Sequence, residues 1–180
     1  SDRIDQVEDK AGFTPWKEDT KSYLPQNADA IPKEEVIDLT SKMQADGSLN
    51  WIVPEGNWNI IRFGYSLTGR QNHPASPEAT GLEVDKLDKD AVRKYINTYL
   101  DMYKDATGGM MGSKGLQYMI LDSYEAGHMT WTKTFPEEFK KRRGYNMLNW
   151  LPVLTGRIIQ STESSEKFLW DFRKTIGELI

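Results

Sequence analysis

Two carboxylates close the most suggestive stretch of this sequence. Leu116-Gln117-Tyr118-Met119-Ile120-Leu121 is a mostly apolar run that breaks at once into Asp122-Ser123-Tyr124-Glu125-Ala126-Gly127-His128. In parallel α/β folds, catalytic groups sit at the C-terminal ends of strands, so a polar cluster after a buried run stands where a pocket forms. Asp122 and Glu125 are three residues apart across a turn, and both could line it. Held beside Tyr124 and Trp131, a carboxylic acid would keep its proton longer than a solvated one and could donate it to a leaving oxygen. The same residues also read as a helix-capping Asp122 and a solvated Glu125.

A second cluster is Gly81-Leu82-Glu83-Val84-Asp85-Lys86, beside a loop that contains Arg70, Asn72 and His73. Two acids, a base and an amide suit recognition of hydroxyls, and carboxylates with amide oxygens could also hold Ca²⁺. A capped helix start with surface charges explains them equally well. His73 and His128 stand alone, with no HExxH and no third ligand, which argues against a transition metal. Glu137-Glu138 followed by Lys140 to Arg143 reads as a charged helix face whose signs match the helix dipole. The sequence has no P-loop, GxGxxG or GxSxG, so nucleotide binding and α/β-hydrolase chemistry lose support.

The elements that must position these groups are read from periodicity. Residues 1–35 form a polar, irregular arm punctuated by Gly12, Pro15, Pro25 and Pro32. Residues 36–67 alternate apolar and polar loosely, with turn signals at Asp46-Gly47 and Pro54-Glu55-Gly56-Asn57, and predict a small antiparallel β meander. Residues 66–88 form a loop long enough to suggest function. Asp88 caps a helix expected from about Lys89 to Ala106, with Val92, Tyr95, Ile96, Tyr99 and Tyr103 on one face and Thr107-Gly108-Gly109 at its end. The Leu116–Leu121 run predicts a strand buried on both faces of a parallel sheet. Thr134 and Pro136 open a second helix that ends near Gly144. A last helix from about Ser165 carries Phe168, Leu169, Phe172, Ile176 and Leu179 as its apolar stripe. The expected class is α/β: a partial (β/α) barrel-type region over 68–180, with the β meander of 36–67 as an insertion.

Composition narrows the field. The 180 residues carry 23 Lys plus Arg against 27 Asp plus Glu, a net charge of −4, and no cysteine. Disulfides and thiolate metal sites are excluded, and the acidic balance disfavours nucleic acid as a partner. No apolar run is long enough for a membrane span, and no export signal opens the chain. Six Trp, eight Tyr and six Phe in a polar chain suit a protein that packs sugar faces as well as its own core. The length falls short of the ~250 residues of a complete (β/α)8 barrel, and Ile180 comes without a C-terminal cap signal, so a longer parent chain is expected.

Several segments, in order, resemble the catalytic region of glycoside hydrolase family 106, the α-L-rhamnosidase-type enzymes of gut and soil bacteria. They are Val36-Ile37-Asp38-Leu39-Thr40, Asp46-Gly47-Ser48-Leu49-Asn50-Trp51-Ile52-Val53-Pro54-Glu55-Gly56-Asn57-Trp58 and Arg62-Phe63-Gly64-Tyr65. Thr68-Gly69-Arg70, Gly81 to Leu87, Leu121 to Glu125 and Leu151-Pro152-Val153-Leu154-Thr155-Gly156-Arg157 continue the series. The resemblance implies a large secreted or periplasmic enzyme built on a (β/α)8 barrel, inverting hydrolysis of α-L-rhamnosides, and Ca²⁺ near the substrate. It makes Glu125 the candidate general acid and puts the second carboxylate beyond Ile180, so the isolated chain is expected to be inactive. Arg70, Asn72, His73, Glu83, Asp85, Asp122 and Trp131 become candidate contacts to the sugar or ion. The expected partners are a rhamnoside or oligosaccharide and the rest of the parent chain. The alternatives are a non-catalytic carbohydrate-binding or interaction module carried by Trp51 and Trp58, and a purely structural piece.

Overall fold

The computed structural model describes residues 30–120 and 127–180. Residues 1–29 of the expected arm lie outside the described residues, as do Asp122 and Glu125. Among the described residues, three α-helices form where local signals are strongest. Helix α1 spans Lys89–Ala106, and Asp88 caps it by accepting from the backbone N–H groups of Asp90 and Ala91 at 3.0 and 3.3 Å. Helix α2 spans Phe135–Arg143, with Glu137 and Glu138 in its first turn and Lys140 to Arg143 in its last. Gly144 ends it in the left-handed region, at φ 81°, where a glycine carries no Cβ penalty. Helix α3 spans Thr162–Leu179 and starts a turn earlier than expected, because the Ser161 hydroxyl accepts from the Ser164 N–H at 3.0 Å.

Helices α2 and α3 hold the hydrophobic core between them. Phe135 and Phe139 of α2 meet Phe168, Leu169, Phe172 and Ile176 of α3, and the 3-10 segment Leu148–Thr155 adds Trp150, Leu151 and Val153. Each large side chain withdrawn from water here stabilises the fold by about 1.5–3 kcal/mol. The described part of the arm docks on this unit: Ile31 pairs with Ile159 in a parallel bridge, and the Asn149 amide donates to the Val36 carbonyl at 2.7 Å. Leu87 and Met129 plug into the same core from the chain that precedes α1 and α2.

The expected α/β class is overturned. Among the described residues there is no β-strand, only four isolated bridges, so neither a β meander nor a (β/α) barrel segment is present. The Asp46-Gly47 turn forms, with the Asp46 carboxylate accepting from Ser48 and Gly47 at φ 85°. It closes a single bridge, Met43 with Leu49, and the chain then runs on extended without a ladder. The reason is that alternation marks a face that would be buried in a sheet but supplies no neighbour to pair with. Ile52 is accordingly 92% exposed. The described part of the Leu116–Leu121 run, residues 116–120, fails for the same reason, with Ile120 89% exposed rather than buried between two layers. The apolar stripe of α1 lies open too, since that helix has no buried residue. No helix among the described residues is long and apolar enough to cross a membrane.

Candidate functional site

The long loop is pinned at its base. Asn72 N–H donates to the Gly81 carbonyl at 3.0 Å, and Glu83 N–H donates to the Arg70 carbonyl at 2.9 Å, on either side of the Gln71–Leu82 bridge. The Asn72 side chain completes the closure. Its Nδ2 donates to the Ala79 carbonyl at 3.0 Å and its Oδ1 accepts from Gly81 N–H at 2.8 Å. Asn72 is therefore a loop-shaping residue in this structure. His73, joined to Pro74 by a cis bond, stands exposed in the closed loop.

The loop is tied to the core through the residues that follow it. Glu83 pairs with Lys86, and the Asp85 carboxylate accepts from Leu87 N–H at 3.0 Å, just before Leu87 enters the core. Asp88 then caps α1 and also meets Lys133, 3.3 Å away, ahead of α2. Desolvation pushes the Asp88 carboxyl up, but the Ala91 and Asp90 amides, with the Lys133 ammonium, outweigh it and hold the group below the ordinary carboxylate range.

This anchorage carries Arg70 to the chain just past Glu125. The Arg70 side chain lies on the backbone of Gly127, at φ 71°, so closely that a Cβ on that glycine would stand 3.1 Å from Arg70 Nε. Trp131, four residues on, is half-buried between Phe135 and Tyr65, with ring centroids 5.4 and 6.0 Å away. Arg70, Asn72 and Glu83 are thus brought together by the bridge, Arg70 meets the 127–131 segment, and Trp131 meets Tyr65. Asp122 and Glu125 lie outside the described residues. Tyr65 was absent from the sequence candidates; its signals were an aromatic ring at the end of an alternating stretch and its place in the matching segment Arg62-Phe63-Gly64-Tyr65.

The described donors do not fit a calcium ion, which takes six to eight oxygens. No group of three His, Asp or Glu side chains converges among the described residues. Glu83 and Asp85 are already engaged by Lys86 and by the Leu87 amide.

A separate charged cluster joins α2 to α3. Asp171, with a side chain 4% exposed, accepts from Tyr145 Oη at 2.9 Å and from Lys167 Nζ at 2.5 Å. Arg143 Nε donates to Thr175 Oγ1 at 2.9 Å, and its Nη2 stands 2.7 Å from Glu178 Oε2. Burial, then the hydrogen bond and charge of Asp171, push the Tyr145 phenol well above its usual range. The cluster staples two helices together and lies within the helical unit.

Comparison with known proteins adds the family. A solved rhamnosidase from Novosphingobium sp. PP1Y superposes with a TM-score of 0.82 and 41% identity, over 98% of this chain and 17% of that one. A protein of Formosa agariphila, provisionally named a beta-glucuronidase, is 42% identical over 162 residues, 90% of this chain and 14% of that protein. The chain therefore spans less than a fifth of the length of either relative. The profile of the glycoside hydrolase 106 family, alpha-L-rhamnosidase, matches residues 1–180, and the chain belongs to that family.

Proposed function

We propose that this chain contributes the acid side of the active site to a longer enzyme that hydrolyses α-L-rhamnosides with inversion. The family match and the 41%-identical rhamnosidase support the class of enzyme. The single observation that carries the assignment to these residues is the packing of Arg70 on Gly127, two residues beyond Glu125. A guanidinium at that point supplies donors for sugar hydroxyls on the segment that follows Glu125 in the sequence.

In this reading Glu125 protonates the glycosidic oxygen as the bond to the anomeric carbon breaks. A second carboxylate, supplied by the rest of the longer chain, takes a proton from the attacking water. Inversion requires these two groups about 6.5–9.5 Å apart, with the water between them. Arg70, His73, Glu83, Asp85, Asp122 and Trp131 serve as contacts to the sugar, and Asn72 holds the loop that presents Arg70. The isolated chain lacks the second carboxylate and is inactive.

The test is hydrolysis of aryl α-L-rhamnosides and aryl β-D-glucuronides by the full-length parent enzyme and by its Glu125→Gln variant, with the product anomer followed by NMR. Rhamnoside cleavage with inverted product, reduced more than about 10³-fold in the variant, is expected. Unchanged rhamnoside turnover in Glu125→Gln, retention of configuration, or exclusive glucuronide cleavage overturns it.

A further inference from the structure

Two contacts join the segments 65–70 and 127–131, and they run in opposite order along the two chains. Tyr65 meets Trp131 through their rings, and Arg70 meets Gly127. The two stretches therefore lie side by side, an aromatic pair at one end and a guanidinium at the other. Five residues of extended chain reach at most about 17 Å, so the ring pair stands within an oligosaccharide's length of Arg70.

The ring pair is the outer end of a column. Phe172 and Phe135 lie 5.0 Å apart in the core, Phe135 lies 5.4 Å from Trp131, and Trp131 lies 6.0 Å from Tyr65. Exposure rises along it from 2% at Phe172 and 0% at Phe135 to 67% at Tyr65. Phe135, fully buried, backs the Trp131 ring, so Tyr65 packs against a neighbour that the core already holds.

We infer that Tyr65 and Trp131 form an aromatic platform for the C–H face of a sugar ring of the substrate. Pyranose rings carry one face of C–H groups between their hydroxyls, and a 6-deoxy sugar adds a methyl group. Two rings inclined to each other by 32° can remove that face from water, with the Arg70 guanidinium placed to take hydroxyls farther along the same glycan. Sites of this kind are largely apolar with a few placed polar groups, which is the pairing that the 65–70 and 127–131 segments present. The inference deepens the proposed function: it rests on a glycoside substrate and adds Tyr65, together with a role for Trp131.

The experiment is an NMR titration of the full-length parent enzyme with methyl α-L-rhamnopyranoside, and in parallel with methyl β-D-glucuronide. It follows the Trp131 indole N–H, identified by its disappearance in Trp131→Phe. A saturable shift with rhamnoside is expected, about tenfold weaker in Tyr65→Ala and close to wild type in Tyr65→Phe, which keeps the ring. Circular dichroism and thermal unfolding of each variant separate lost binding from lost fold, and Tyr65→Leu replaces Tyr65→Ala if the latter is unfolded. Rhamnoside binding that is unaltered in Tyr65→Ala or Tyr65→Leu sinks the platform and leaves the rhamnosidase reading standing. Binding of the glucuronide alone, lost in Tyr65→Ala, keeps the platform and sinks the rhamnosidase reading. No shift with either sugar, up to the limit of solubility, overturns the platform.

Discussion

Arg70 lies across Gly127 so closely that a Cβ there would approach Arg70 Nε to 3.1 Å and press the side chain aside by a few tenths of an ångström. The contact joins the pinned loop to the chain that leaves the Asp122–Glu125 stretch. Gly127→Ala meets it twice, because φ at this position is 71° and the new methyl displaces the guanidinium. The left-handed conformation costs a non-glycine residue about 1–2 kcal/mol. The expected outcome is a modest fall in the unfolding midpoint and a much larger loss of rhamnoside turnover in the full-length parent enzyme. Equal activity in wild type and variant would separate Arg70 from the chemistry.

Asp88 is the joint between the loop, α1 and α2. Asp88→Ala removes the N-cap and the partner of Lys133, and is expected to destabilise by about 1–2 kcal/mol, read by urea unfolding. Its folded pKa is depressed, so the stability it contributes is present above the unfolded value of about 3.9 and is lost as pH falls through the lower folded value. Acid unfolding of wild type should be steeper than that of Asp88→Asn, which keeps a capping oxygen without the charge.

Tyr145 titrates in the opposite sense. The Tyr145 phenol is raised in the folded state, so its contribution is complete below the unfolded value of about 10 and declines as pH rises beyond it. Urea midpoints compared at about pH 8 and about pH 11 should fall for wild type and fall less for Tyr145→Phe. Asp171→Ala leaves the Tyr145 hydroxyl without an acceptor and Lys167 without its carboxylate, and should cost about 1–3 kcal/mol.

The open extended segments make a contrast that checks the fold directly. Ile120→Ser, at a position 89% exposed, should change the stability of this chain by less than about 0.5 kcal/mol. Phe139→Ala, at a position 0% exposed between α2 and α3, should cost about 3–5 kcal/mol. A large loss at Ile120 would restore the buried strand that its sequence predicts.

Local signals in the sequence determined the helices and most of their ends, the start of α3 being missed by a turn. Asp88 before α1, Gly144 after α2 and the Phe168–Phe172–Ile176 stripe of α3 each act within a turn or two of the chain, so residue type and spacing suffice. The ordered matches from Val36 to Arg157 likewise carried the family, since they are properties of the sequence itself.

Pairing and approach were decided by the tertiary structure alone. The apolar runs at 36–67 and 116–121 read as strands, yet a strand exists only where another backbone accepts its hydrogen bonds, and periodicity cannot say whether one does. Asn72 shows the same limit at side-chain scale: a residue type suited to binding sugar has its amide turned onto Ala79 and Gly81. The contacts that assemble the candidate site, Arg70 on Gly127 and Tyr65 on Trp131, join residues more than fifty positions apart. They arise because Leu87, Met129 and Phe135 bury themselves in one core and draw both segments to its edge.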